Sequence, residues 1–130
     1  MTESENLIAV AQQFYSLCSA GDFDGLKAIV TEDFRVREAE DLPFPGLYAG
    51  IDALQELFAI VMGKLSIVDM RQTSFLAGPD IVCAMVELVP QAKPAHVIEV
   101  AEVIRFRDGR ICEIQPFWFD AASVRALAGA

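Results

Sequence analysis

Two glutamates occupy positions where a carboxyl group is expensive to keep charged. Across His96 to Phe106 the even positions are His96, Ile98, Val100, Glu102, Ile104 and Phe106, and the odd ones carry Glu99, Arg105 and mixed small residues. Side chains alternate between the faces of a strand, so this segment sets Glu102 on the apolar face between Val100 and Ile104. The same arithmetic in Phe34 to Glu38 places Glu38 with Phe34 and Val36 and turns Arg35 and Arg37 the other way. A carboxylate on an apolar face pairs with a cation, or keeps its proton up to near-neutral pH and becomes a general acid or base. Parity leaves one alternative open, in which either strand is an edge or has shifted faces and its glutamate is solvated. Glu40 and Asp41, at the start of a loop, read as a solvated charge run.

Other residues could line a site without acting in one. Trp118 shares its strand face with Cys112, Ile114 and Pro116, and a large amphipathic ring near a strand end can close an apolar pocket. Phe14, Tyr15, Phe58, Met62 and Met85 complete the candidate lining. His96 stands on the Glu102 face but six residues away, roughly 20 Å at strand rise, so the two cannot touch within one strand. With a single histidine and no CxxC or HxxxH spacing, no zinc site is recognisable, and no metal or cofactor is expected. Cys18, Cys83 and Cys112 are odd in number, widely spaced and set in apolar runs, which reads as reduced core thiols of a cytosolic protein.

The elements that must position these residues follow from periodicity. Ser4 to Ala20 places Leu7, Ile8, Ala11, Phe14, Tyr15 and Cys18 at helical spacings, and Gly21-Asp22 is suited to end that helix and cap the next. A short second helix is expected over Phe23 to Val30, and a strand over Phe34 to Glu38. Ala39 to Gly50 has two prolines and two glycines among apolar residues, so it reads as a loop folded over something. Ile51 to Lys64 predicts a third helix buried along Leu54, Leu57, Phe58, Val61 and Met62. Strand-like runs follow at Ser66 to Ala77, Ile81 to Val89, His96 to Phe106 and Ile111 to Phe119, and Ala121 to Leu127 adds a final helical turn or two. Asp108-Gly109 between two such runs is a hairpin signal. Three helices before an antiparallel meander predict an α+β fold with helices on one face of a curved sheet.

Composition bounds the function. The 130 residues suffice for one compact domain spanning 1–130, and 54% of them are hydrophobic against 22% charged. That apolar surplus calls for a partner interface or an internal pocket. Ten basic against 19 acidic residues give a formal charge of −9, which argues against nucleic acid and anionic membrane as partners. The amino-terminal residues lack the pattern of a signal peptide and no apolar run reaches membrane-spanning length, so a cytoplasmic location is expected.

Phe14-Tyr15 followed by Ala20-Gly21-Asp22, Thr31-Glu32-Asp33-Phe34, Pro45-Gly46 with Gly50 opening a helix, and Arg105-Phe106-Arg107-Asp108-Gly109-Arg110-Ile111 come in a distinctive order. In that order the chain resembles the SnoaL-like and ketosteroid-isomerase-like branch of the NTF2-like superfamily over nearly its whole length. The resemblance implies a sheet wrapped round helices into a cone with an apolar pocket, and a homodimer formed through the outer sheet face. It implies Glu38 as general base, Glu102 as a protonated hydrogen-bond-donating acid, and Trp118 as pocket wall. The isomerases' second donor, a tyrosine, falls on Phe14, with Tyr15 about 100° further round the helix. The expected activity is a proton-transfer isomerase or cyclase acting on a small apolar carbonyl compound. A non-catalytic ligand-binding or dimerisation domain is the alternative. Epoxide hydrolysis would need an Asp-Arg-Asp set, for which only Asp69 and Arg71 share a strand.

Overall fold

The computed structural model describes residues 2–129. Helix α1 (Glu3–Ser19) opens with a reciprocal cap, in which the Thr2 hydroxyl accepts from the Glu5 amide and the Glu5 carboxylate accepts from the Thr2 amide. It ends where Gly21 takes φ +73°, a conformation that costs a Cβ-bearing residue more. The expected second helix is only a 3-10 segment of five residues, Asp24–Ala28. Strand β1 (Val30–Glu38) therefore begins four residues earlier than periodicity suggests. Within the expected loop, Gly46–Ala49 forms a short edge strand, β2, paired antiparallel with β1. Helix α2 (Ile51–Leu65) follows, then β3 (Ile67–Gly78), β4 (Ile81–Pro90), β5 (Ile98–Arg107), β6 (Arg110–Trp118) and α3 (Ala121–Leu127). The third α-helix is thus carboxy-terminal.

One six-stranded sheet runs in the order β2-β1-β6-β5-β4-β3. It is mixed: β1 lies parallel to β6, and the other pairings are antiparallel. Asp108 and Gly109 both adopt positive φ, 52° and 79°, as a two-residue type I′ hairpin requires, and join β5 to β6. The core is the inner face: Phe34 and Val36 of β1, Val82, Ala84, Val86 and Leu88 of β4, and Ile98, Val100, Ile104 and Phe106 of β5. The apolar stripes of α1 and α2 pack against it.

Register sets the two glutamates in one row. Val36 pairs with Ile114 in the parallel ladder, so two residues further on Glu38 reaches the level of Pro116, and Pro116 faces Glu102 across the β5–β6 ladder. Glu38 and Glu102 thus stand two strands apart on the same face, about 10 Å between backbones. The residue between them, Pro116, is compact.

Candidate active site

A cavity of about 90 Å³ lies between the inner sheet face and helices α1 and α2. Its wall is apolar except for Glu38, Glu102, the Tyr15 hydroxyl, the Trp118 indole and the Cys18 thiol. Phe14, Tyr15 and Cys18 come from one face of α1, Phe58 and Met62 from α2, and Trp118 from the end of β6.

Each glutamate is held at one oxygen by an aromatic donor. The Tyr15 hydroxyl donates to Glu102 Oε1 at 2.5 Å, and the Trp118 Nε1–H donates to Glu38 Oε1 at 3.0 Å. Among the described residues no fully buried side-chain N or O lacks a partner, so the unbonded second oxygen of each carboxyl keeps accessible surface. That surface is where a bound molecule could meet it.

The electrostatics follow from dryness. Burial pushes the Glu38 carboxyl up to about 8; the Trp118 hydrogen bond opposes the shift and the Glu102 charge adds to it. Burial also raises Glu102, against the lowering effect of the Tyr15 hydroxyl. Tyr15 is held well above the ordinary phenol range by burial, by the Glu102 charge and by the same hydrogen bond. Burial beside Glu102 moves the Cys18 thiol up to about 12, so it stays protonated and weakly nucleophilic. Both carboxyls are thus shifted toward their protonated forms by burial. Glu102 can accept from Tyr15 at one oxygen and donate its own proton from the other.

Two candidate lining residues lie elsewhere. Met85 is 38% exposed on the outer sheet face, because its neighbours Ala84 and Val86 take the inward positions. His96 precedes β5 in an exposed turn, where its amide bonds the Lys93 carbonyl and Pro94 keeps the segment out of the ladder. Asp69 and Arg71 are ion-paired with each other at 3.3 Å on the exposed side of β3. Phe14 and Tyr15 both border the cavity, and the phenol is supplied by Tyr15. Cys18 joins the wall as well, because its spacing of four from Phe14 and three from Tyr15 puts it on their helix face.

Helices packed on one face of a six-stranded mixed sheet make an α+β fold of the kind seen in NTF2-like and cystatin-like structures. The SnoaL-like domain model matches residues 11–114, and the chain belongs to that family. Comparison with curated proteins finds no match. Among solved structures, an NTF2-like protein of unknown function from Burkholderia pseudomallei is 19% identical with a TM-score of 0.73, all of both chains being covered. A protein from Jannaschia sp. CCS1, described there as a candidate SnoaL-like polyketide cyclase, is 12% identical with a TM-score of 0.77 over 100% of this chain and 97% of that one. TerC, co-crystallised with polyporic acid, is 17% identical with a TM-score of 0.74 over 96% and 99%. At these identities the likeness is one of fold. Among the described residues no helix is long and apolar enough to cross a membrane.

Proposed function

We propose that the chain is a proton-transfer enzyme of isomerase or cyclase type, acting on a small, neutral, apolar carbonyl compound. The observation that carries this reading is a pair of carboxyls, Glu38 buried and Glu102 part-buried, in one apolar cavity, each anchored at one oxygen by an aromatic donor and open at the other. Glu38 in its ionised form would take a proton from carbon next to the carbonyl and return it at another carbon. Glu102 would donate a hydrogen bond to the developing enolate oxygen, with Tyr15 fixing its orientation. The absence of Lys or Arg from the lining favours a neutral ligand, and a cavity of about 90 Å³ favours a small one.

Titration of both carboxyls by carbon-detected NMR, in the wild type and in Glu38→Gln and Glu102→Gln, tests the mechanism. Midpoints well above the ordinary carboxylate range are expected; values near 4 for both would overturn it. Deuterium exchange next to the carbonyl of small cyclic ketones, lost in Glu38→Gln, would show the activity directly.

A second reading, a non-catalytic ligand-binding or dimerisation domain, is favoured by the Glu38 pKa of about 8, which leaves little ionised base at neutral pH. Ligand binding without exchange at pH 9 would select it. We also infer a homodimer through the outer sheet face and, from three free thiols, a reducing cytoplasmic setting.

A further inference from the structure

Glu38 and Trp118 face two spaces. Besides the inner cavity they border a separate hollow of about 430 Å³, whose rim carries Arg37, Glu40, Asp41 and Gln115. The inner space is almost wholly apolar, whereas the outer one mixes charged and polar groups with apolar side chains such as Leu42, Leu47 and Phe117. The partition between them consists of Glu38, Pro116 and Trp118, the residues common to both linings.

The partition is braced from the loop between β1 and β2. Phe44 is 2% exposed, and its ring packs on the Trp118 indole with centroids 5.3 Å apart and planes at 59°. Its carbonyl accepts from the Tyr48 hydroxyl at 3.1 Å, which ties the loop to β2. Buried Leu42 anchors the same loop, and Arg125 donates to the Asp41 carbonyl at 2.8 Å. The chain of contact runs from Tyr48 to Phe44, to Trp118, to Glu38.

We propose that Phe44 is a positioning residue for Glu38, holding Trp118 as the wall that keeps the carboxyl dry and directed into the inner cavity. Phe44 touches no reacting atom; it acts through the indole. Without the ring Trp118 has room to tilt, and the contact of Glu38 with water from the outer hollow, slight at 7% exposure, increases. The titratable and charged groups around this carboxyl are Glu102, Tyr15 and Cys18 in the inner cavity, Tyr48 on β2, and Arg37, Glu40 and Asp41 lining the outer hollow. Burial is the largest influence on Glu38 and outweighs the opposing Trp118 hydrogen bond. Opening the wall therefore lowers the midpoint, whereas removing only the hydrogen bond raises it.

Opposite signs make the experiment decisive. Glu38 is titrated by carbon-detected NMR in the wild type, Phe44→Ala and Trp118→Phe, and emission of the single tryptophan is followed with acrylamide quenching in the first two. Phe44→Ala is expected to lower the Glu38 midpoint by at least one pH unit, shift emission to the red and increase quenching. Trp118→Phe is expected to raise the midpoint. A folded Phe44→Ala with wild-type midpoint and emission would overturn the proposal, as would a raised midpoint. If Phe44→Ala does not fold, Tyr48→Phe, which releases the Phe44 carbonyl but keeps the ring, must move both readouts the same way; no movement overturns the proposal. The inference rests on Glu38 being the proton-transfer group, yet the two fail separately. A wild-type midpoint near 4 removes that reading, and unmoved tryptophan emission removes this one.

Discussion

Glu38 couples the proposed chemistry to stability. In the unfolded chain its carboxyl loses its proton near 4.5, whereas in the folded chain it keeps the proton up to about 8. Between those values the unfolded state binds fewer protons, so this residue's contribution to stability is complete below about pH 4.5 and falls as pH rises to about 8. Glu38→Gln cannot titrate and escapes that loss. The variant is therefore expected to gain on the wild type steadily across this window, by on the order of 3 kcal/mol at pH 7. Urea denaturation at pH 4.5, 6, 7 and 8 checks it; a constant difference between the two proteins would refute the buried carboxyl. The same midpoint fixes the sign of the pH–rate profile. Ionised Glu38 is the base, so kcat/KM should rise about tenfold per pH unit below about 8 and level off above it. Tyr15→Phe should leave that limb in place while lowering the plateau, on the order of 10²-fold if the phenol orients the oxyanion donor.

At the scale of elements, the joints are where sequence and structure meet most simply. The β5–β6 hairpin needs positive φ at both turn residues, and only glycine takes the second at little cost. A Cβ on Gly109 would meet nothing within 4 Å, so Gly109→Ala should cost about 1–2 kcal/mol through backbone conformation alone. Thermal unfolding measures this, and an unchanged Tm would mean the turn has relaxed to another type. Such local features are legible in the sequence because a few adjacent residues decide them. The inward faces of β1 and β5, with Glu38 and Glu102 on them, are legible for the same reason, since period two survives whichever strand comes alongside. The parallel pairing of β1 with β6 is not legible, because nothing local to Val30–Glu38 names a partner almost 80 residues away. Parity also fails at irregularities. The β5–β6 register shifts between Arg105 and Phe106, and on β6 both Ile111 and Ile114 are buried, so Cys112 leaves the face that strict alternation gives it. The Tyr15–Glu102 bond joins residues 87 positions apart, and only the packing of α1 on the sheet brings them together.

At the scale of the whole molecule, the proposed homodimer makes its own prediction from the pattern of the outer sheet face. Cross-strand register there lays down four rows: Ile81 with Arg105, Cys83 with Val103, Met85 with Ala101, and Glu87 with Glu99. Neighbouring strands add Leu76 to the second row and Phe117 to the third, and Leu76, Met85 and Phe117 are exposed large apolar residues. The first row is basic: Arg105 and Arg35 flank the buried carboxylate of Glu113, which Arg37 also reaches from the level of the second row. The last row is acidic, with Glu87 directly opposite Glu99, a like-charge pair only partly offset by Arg71 at 4.0 Å from Glu87. A two-fold axis lying in the sheet plane, across the strands between the second and third rows, packs the apolar rows together. It also sets the basic row of each copy over the acidic row of the other. This geometry makes a prediction that a generic apolar contact does not. Positions 99 and 105 of one chain are roughly 20 Å apart along β5 and cannot bridge internally, but in this dimer they approach their counterparts. With Cys83 and Cys112 replaced by serine, the double variant Glu99→Cys/Arg105→Cys should form disulfide-linked dimers on mild oxidation, whereas either single variant should not. Sedimentation velocity should show the wild-type chain as a dimer that weakens as salt rises. A monomer at tens of micromolar, or cross-linking by Glu99→Cys alone, would overturn the arrangement.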